Sequence, residues 1–437
     1  MSNQQKMNGS IIAIVTMFFL YAMIAFVTNL GAPIGVIWKN QPGIDGNNML
    51  GMMGNFMNFF AYLFMGIPAG KMLTKVGYKK SALIGIAVGF VGVLIQYLSS
   101  FPEGIPGFCV YLLGAFISGF SVCILNTVVN PMLNLLGGGG NRGNQLNLIG
   151  GTLNSLTGTL TPMLVGALIG EVTKSTQMAD VNLVLYIAMG VFALAFIALL
   201  FIPIQDPELG KVTAETKFEH SPWSFRHCTL GVIAIFFYVG VEVGIPGALN
   251  FYLSDSSEKG AGLLANAATI GGAVAAMYWL LMLCGRLVSG FIAGKISSRQ
   301  LMLGTTSVAM VLIAAAMFMP KTVTVTMPLF SIMTFSFTSA VVPVSALLLV
   351  LCGICTSIMW ASIFNLATEG LGKYTAQASG IFMMMVVGGG VLPLIQGWFS
   401  NFMGYMPSYF VYFLAVGYMF YYALIGCKNV NKDIPVE

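Results

Sequence analysis

Stretches of about twenty apolar residues recur from Ile11 to Ile425, parted by short breaks rich in Gly, Asn, Pro or charge. Nothing else in the chain constrains its folding as tightly. A helix rises about 1.5 Å per residue, so about 20 residues cross a hydrocarbon core about 30 Å thick, and a helix bonds its own backbone groups where no water can. Only 8% of the 437 residues are charged, against about 25% in a soluble domain. The chain cannot clothe itself in a water-compatible surface, and an all-α membrane protein is expected.

Six candidate spans fill the first half, approximately at 11–37, 49–73, 81–100, 107–136, 145–171 and 182–204. The longest polar stretch follows, from Gln205 to Arg226, and holds Asp206, Glu208, Lys211, Glu215, Lys217, Glu219, His220 and Arg226, as a solvated linker should. Six more spans come after it, approximately at 228–253, 262–294, 300–319, 338–367, 376–400 and 406–427. The expected organisation is an N-terminal six-helix bundle at 1–204, a linker at 205–226 and a C-terminal six-helix bundle at 227–437. The apolar stretch 322–337 fits least well, and both a lengthened neighbouring helix and an interfacial segment stay open for it. The first apolar stretch, Ile11 to Trp38, exceeds a signal-peptide core of about 7 to 15 residues and reads as an uncleaved helix.

The net charge of +5 does not point to nucleic acid, because the 19 Lys and Arg stand singly between apolar stretches and form no basic face. Membrane topology accounts for them. With an even number of spans and both termini cytoplasmic, 15 cations fall in or near cytoplasmic segments and only Lys39, Lys174, Lys259 and Lys321, 4 in all, fall outside. A bacterial inner membrane, with both termini inside, is the expected location. The seven cysteines show no disulfide framework, and Cys352-x-x-Cys355 lies in an aliphatic run without the strand pattern of a redox motif.

The two halves resemble each other. Gly66-Ile-Pro-Ala-Gly70-Lys71 recurs 224 residues later as Gly290-Phe-Ile-Ala-Gly294-Lys295. Asn134-Leu matches Asn365-Leu, and Pro162-x-x-x-Gly166 matches Pro393-x-x-x-Gly397, both at an offset of 231. A parallel repeat of six helices predicts two bundles about an axis along the membrane normal, with a substrate held between them near the midplane.

The sequence GIPAGKMLTKVGYKK at 66–80 resembles the loop between helices 2 and 3 of the major facilitator superfamily, with Lys75 where that pattern usually has an acid. Gly66, Gly70, Gly290 and Gly294 allow close helix packing where bundles meet, and Lys71 holds its loop at the cytoplasmic face, so these residues are expected to serve gating. Asn130-Pro131, GGGGNRGNQLNLIGGTLNSLTG, Tyr238-Val-Gly-Val-Glu242-Val, IMWASIFNLATEGLG and MMMVVGGGVLP are similar to the fucose and proton symporter family of sugar permeases. The resemblance covers most of the chain. It implies the major facilitator fold, twelve transmembrane helices in two bundles, and uptake of a monosaccharide such as fucose, glucose or galactose by alternating access, driven by a cation gradient of H⁺ or Na⁺. Symporters of that family that use protons place carboxylates in helices 1 and 4; the matching positions here are Asn29 and Asn126, which carry no proton near neutral pH. Their amides instead suit the hydroxyls of a sugar.

Independently of any family, polar groups at membrane depth are the best functional candidates. Glu242 is the single acid left deep once the loops, helix ends, linker and tail are assigned. A charged, unpaired carboxylate is costly there, and a group poised between protonation states can carry a proton, so Glu242 is the expected coupling residue. Asn29, Asn58, Asn126, Asn130, Asn154, Asn250 and Asn365 are candidate sugar ligands, several of them three or four residues apart and so on one helix face. Trp360 offers a ring to stack on a sugar. Each of these also reads as ordinary helix bridging or packing. Arg286, near the cytoplasmic end of helix 8, is expected to snorkel or brace the gate. Gly137 to Gly140 lacks the Lys-Ser/Thr of a phosphate loop and reads as a turn, and Gly388 to Gly390 with Pro393 is expected to bend helix 11.

An intramembrane enzyme would need a metal cluster or an activated nucleophile at depth, and no HExxH or GxSxG motif occurs. No cofactor or metal is expected. A uniporter, a sugar sensor on a transporter scaffold and a facilitator for another small polar solute remain the rival readings. A monomer in the bilayer is expected.

Overall fold

In the computed structural model, which describes residues 3–136, 140–170, 175–202, 219–263, 265–292, 296–331, 334, 336–431 and 433–435, the apolar segments become helices that run alternately up and down. The first bundle comprises α1 (Ile11–Lys39), α2 (Met53–Val76), α3 (Tyr78–Leu98), α4 (Gly104–Leu136), α5 (Gly140–Ile169) and α6 (Asn182–Phe201). The second comprises α7 (Arg226–Ser254), α8 (Ala267–Ile292), α9 (Ser298–Phe318), α10 (Val344–Thr368), α11 (Gln377–Met403) and α12 (Tyr405–Gly426). Eleven of these contain a window apolar enough to cross a membrane. The remaining one, α2, is 24 residues long and is made less apolar by Asn55 and Asn58. Lipid-facing surfaces carry exposed Leu113, Leu194, Val311 and Leu414, as an integral membrane protein requires.

Local chemistry sets the turns. Gly77 and Gly404, both at φ 85°, end α2 and α11 and let the next helix start at once. Ser297 and Gln300 cap the start of α9 reciprocally. The side of the molecule from which α1 starts also receives the ends of α6 and α12 and the start of α7; we call it the linker side. Most of the expected linker, residues 205–218, lies outside the described residues.

In the stretch 322–337 the described residues lengthen no neighbouring helix. Thr324–Ser331 (β1) and Ser336–Pro343 (β2) pair antiparallel, so a hairpin on the far side joins α9 to α10. Met327, Leu329 and Val342 are buried beneath it, while Phe337 stands exposed.

The bundles meet along three seams, α5 against α8, α2 against α11, and the outer part of α1 against α7. At the first seam, a Cβ added to Gly166 would stand 2.6 Å from the Ala268 carbonyl oxygen, so only a glycine permits this approach. The expected bend in α11 is a break: the α-helix stops at Met385 and resumes at Gly388. Gly389 and Gly390 there press on Phe59 and Phe56 of α2.

Candidate functional site

Between the bundles lies a cavity of about 20 Å³, room for a water or two. Its walls are Thr28, Asn29, Ala32, Pro33 and Asn55 from α1 and α2, Pro162 from α5, Val243, Pro246, Gly247 and Asn250 from α7, and Ala275 and Trp279 from α8. Three amides each commit one end to the protein. Asn29 Nδ2 donates to the Ala25 carbonyl at 2.8 Å, Asn55 Nδ2 to the Gly389 carbonyl at 2.8 Å, and Asn250 Oδ1 accepts from Ser254 Oγ at 3.1 Å. Among the described residues, Asn29 Oδ1, Asn55 Oδ1 and Asn250 Nδ2 have no hydrogen-bond partner, which leaves two acceptors and a double donor on one small space.

The same level is marked by prolines on three helices. A proline lacks the N–H that would return to the carbonyl four residues earlier. Pro33, Pro162 and Pro246 all line the cavity, and they deprive the carbonyls of Asn29, Gly158 and Glu242 of that partner. Backbone acceptors that lose a donor in this way are tolerated at membrane depth where they line a cavity.

A charge pair lies toward the linker side. Arg286 Nη2 donates to Glu242 Oε1 at 3.2 Å, joining α8 to α7. Its Nη1 reaches across the seam to α5, to the Gly151 carbonyl at 3.2 Å and Ser155 Oγ at 2.9 Å. Tyr21 to Thr28, Gly151 to Gly158 and Trp279 to Arg286 are each seven residues apart, and Glu242 to Asn250 eight. On α8 two turns, a rise of about 10 Å, separate Trp279 from Arg286, whereas on α7 the cavity wall begins at Val243, directly after Glu242.

The expected ligands divide between these levels and positions outside them. Asn29 and Asn250 face the cavity. Asn126, Asn130 and Asn154 tie the first bundle together: Asn126 Nδ2 donates to Tyr62 Oη at 2.7 Å, Asn130 accepts from the Tyr21 hydroxyl, and Asn154 Nδ2 donates to the Tyr21 carbonyl at 3.3 Å. Asn58 is turned into its own bundle, with its Nδ2 donating to the Ala115 carbonyl of α4 at 3.4 Å. It bridges helices, and its neighbour one turn back, Asn55, takes the cavity position. Trp360 packs against Tyr238, ring centres 6.0 Å apart, and Asn365 is exposed near the linker end of α10.

Among the expected gating residues, Gly66 meets Met384 of α11, where a Cβ would stand 2.8 Å from Met384 Cγ, whereas Gly70 faces open space. Lys71 is exposed on the last turns of α2. Gly290 falls in the last turn of α8, and Gly294 and the turn at 137–139 lie outside the described residues. Arg286 does not snorkel to the helix end; it turns inward to Glu242 and α5.

Sequence reasoning missed a second ion pair, on the far side. Lys39 of α1, only 5% exposed, donates to Asp255 Oδ2 at 2.8 Å, just past the end of α7. Tyr405, which also accepts from Lys39, has its hydroxyl 2.7 Å from the same Asp255 oxygen and 2.9 Å from Asn48 Oδ1. Burial alone would raise the Asp255 carboxyl, but the Lys39 ammonium, aided by Ser257 and Tyr405, outweighs it and holds the group down at about 2.

Residues 9–392 match the Major Facilitator Superfamily. The chain is 27% identical over 433 residues to a glucose/galactose transporter of Brucella abortus, covering 98% of this chain and 96% of that one. It is 23% identical over 378 residues to the L-fucose-proton symporter of Escherichia coli, with 80% and 78% covered. Among solved structures, a Major Facilitator Superfamily transporter, FucP, in the outward conformation superposes with a TM-score of 0.66 at 19% identity, covering 96% of this chain and 100% of that one, a likeness of fold.

Proposed function

The chain belongs to the Major Facilitator Superfamily, and we propose from its site that it imports a monosaccharide of the glucose, galactose or fucose kind by alternating access, coupled to a cation. The observation that carries this reading is a cavity at the bundle seam, lined by three amides with free ends and neighboured by a partly buried Glu242–Arg286 pair. Neutral amides and bare carbonyls match sugar hydroxyls, which both donate and accept, and they hold no charge to trap the sugar. The names of the relatives from Brucella abortus and Escherichia coli support the same substrate class.

Coupling rests on Glu242, because Asn29 and Asn126 occupy the positions at which the fucose and proton symporters carry acids. A proton arriving on the Glu242 carboxylate cancels the charge facing Arg286, and its departure restores the pair. Arg286 passes the change to α5 of the opposite bundle through Ser155 and the Gly151 carbonyl. Gly66 against Met384 and the cations at Lys71 and its neighbours belong to gating on the linker side. The transporter acts as a monomer in a bacterial inner membrane with both termini cytoplasmic, as the 15 to 4 split of cations supports.

Reconstituted protein tests this directly. Vesicles loaded with unlabelled galactose, glucose or fucose should show counterflow of the labelled sugar, and an inward pH or sodium gradient, imposed separately, should drive accumulation. A sugar sensor binds without counterflow, and a uniporter gives counterflow with no accumulation under either gradient.

A further inference from the structure

The cavity has one large side chain that hydrogen bonding to a sugar does not explain. Trp279 of α8 is 8% exposed and lies on the seam rather than in the interior of its bundle. Opposite it, in the other bundle, α5 has a glycine. A Cβ added to Gly158 would stand 3.5 Å from Trp279 Cδ2, 3.6 Å from Cε3 and 3.3 Å from Asn29 Nδ2. Cδ2 is a ring-fusion carbon flanked in the ring plane by its own side-chain stem, so Gly158 approaches the indole over its face. The missing side chain leaves room for one methyl group over that face, and Pro162 has no N–H to offer the Gly158 carbonyl beside it.

We propose that Trp279 is the stacking platform for the substrate and that Gly158 sets the clearance above it, the ligand being a neutral pyranose with a C–H-rich ring face. This rests on the sugar-transport reading and assigns the residues that would select among sugars. An indole face is electron-rich and apolar, so it favours the axial C–H bonds of a pyranose. Asn29 Oδ1, Asn55 Oδ1 and Asn250 Nδ2 then read hydroxyls around the ring edge. Because Trp279 and Gly158 belong to different bundles and the closed seam leaves room for only a water or two, the sugar comes to lie over the indole when α5 and α8 part. Trp360, placed with Tyr238 near the charge pair, is not needed for this role.

Equilibrium exchange of D-galactose, D-glucose and D-xylose in proteoliposomes, with tryptophan fluorescence on the same protein, is the test. W279A should raise KM about tenfold, equivalent to about 1.4 kcal/mol of binding, and W279F should recover most of that while losing the sugar-induced change in fluorescence. G158A adds one methyl over the ring, and should raise KM at least fivefold for the two hexoses and less than twofold for the smaller xylose. If W279A loses exchange altogether, the KM and fluorescence of W279F decide. Wild-type KM values in W279A or W279F, or an unchanged fluorescence response in W279F, overturn the platform while leaving sugar transport in place. Absence of exchange for every sugar by the wild-type protein overturns the transport reading itself.

Discussion

Among the described residues, two ion pairs lie where the bundles meet, and they are connected in opposite ways. Lys39–Asp255 on the far side crosses the seam, with the cation on α1 and the acid just past the end of α7. Arg286–Glu242 lies within the second bundle, and neutral partners, Ser155 and the Gly151 carbonyl, receive it across the seam. Parting the bundles on the far side therefore separates opposite charges, whereas parting them beside Arg286 leaves the charges together and breaks hydrogen bonds. The first arrangement resists opening strongly. The second is modest to open and responds to whatever alters the charge of Glu242.

The largest effect is expected from breaking the cross-seam pair. Removing one partner of a buried pair typically costs about 3 to 5 kcal/mol, since the other charge is left uncompensated. Asp255→Asn or Lys39→Met should thus raise, by more than a hundredfold, the rate at which a far-side reagent labels a cysteine introduced at Ala32 on the cavity wall. The exchange Lys39→Asp with Asp255→Lys should restore slow labelling. Wild-type labelling in both single variants would mean that Tyr405, Asn48 and the glycine contacts hold the far side without the charges.

The within-bundle pair should behave otherwise. Glu242→Gln is expected to abolish gradient-driven accumulation while counterflow stays within about threefold of wild type, because the amide keeps a hydrogen bond to Arg286 but takes up no proton. Labelling at Ala32 should not change. Accumulation that persists in Glu242→Gln would remove Glu242 from coupling and make the two pairs alike as structural braces.

This contrast explains what could be read from the chain and what could not. Span positions were legible because lipid forces a run of about 20 apolar residues at each crossing. The hairpin at 324–343 escaped because Val325, Met327 and Leu329 alternate with Thr324, Thr326 and Pro328, a period-two pattern that a search for apolar runs averages away. Glu242 was legible as an isolated deep acid, but its partner was not, since Arg286 lies 44 residues on and meets it only through the packing of α7 on α8. Lys39 and Asp255, 216 residues apart, each looked like a solvated loop charge. Asn58 was the expected ligand of α2, and the three-residue rotation between it and Asn55 decides that Asn55 meets the cavity. Trp279 carried no mark in an apolar run; its only signal was the seven-residue spacing to Arg286.

A smaller effect should separate the neutral contacts from the charged ones. Ser155→Ala deletes one hydrogen bond to a charged donor, worth about 1.5 to 3 kcal/mol at most, and the Gly151 carbonyl still holds the same nitrogen. Counterflow should change by less than about tenfold, with the pH at which accumulation is half-maximal displaced, and labelling at Ala32 unaffected. If accumulation keeps its wild-type pH profile, Arg286 does not relay the state of Glu242 to α5 through Ser155.

The smallest effect is a pH response that should be absent. An acid held at about 2 in the folded protein, against about 3.9 for an unperturbed Asp, stabilises the folded, closed arrangement fully above the higher value and loses that contribution as the pH falls through the lower one. Lys39–Asp255 should consequently keep labelling at Ala32, once corrected for the falling thiolate fraction of the introduced cysteine, constant between pH 8 and pH 5. Labelling that accelerates between pH 7 and pH 5 in wild type, but not in Asp255→Asn, would show that the far-side pair also senses protons. The two pairs would then share one role, and the division between a fixed closure and a proton-responsive switch would fail.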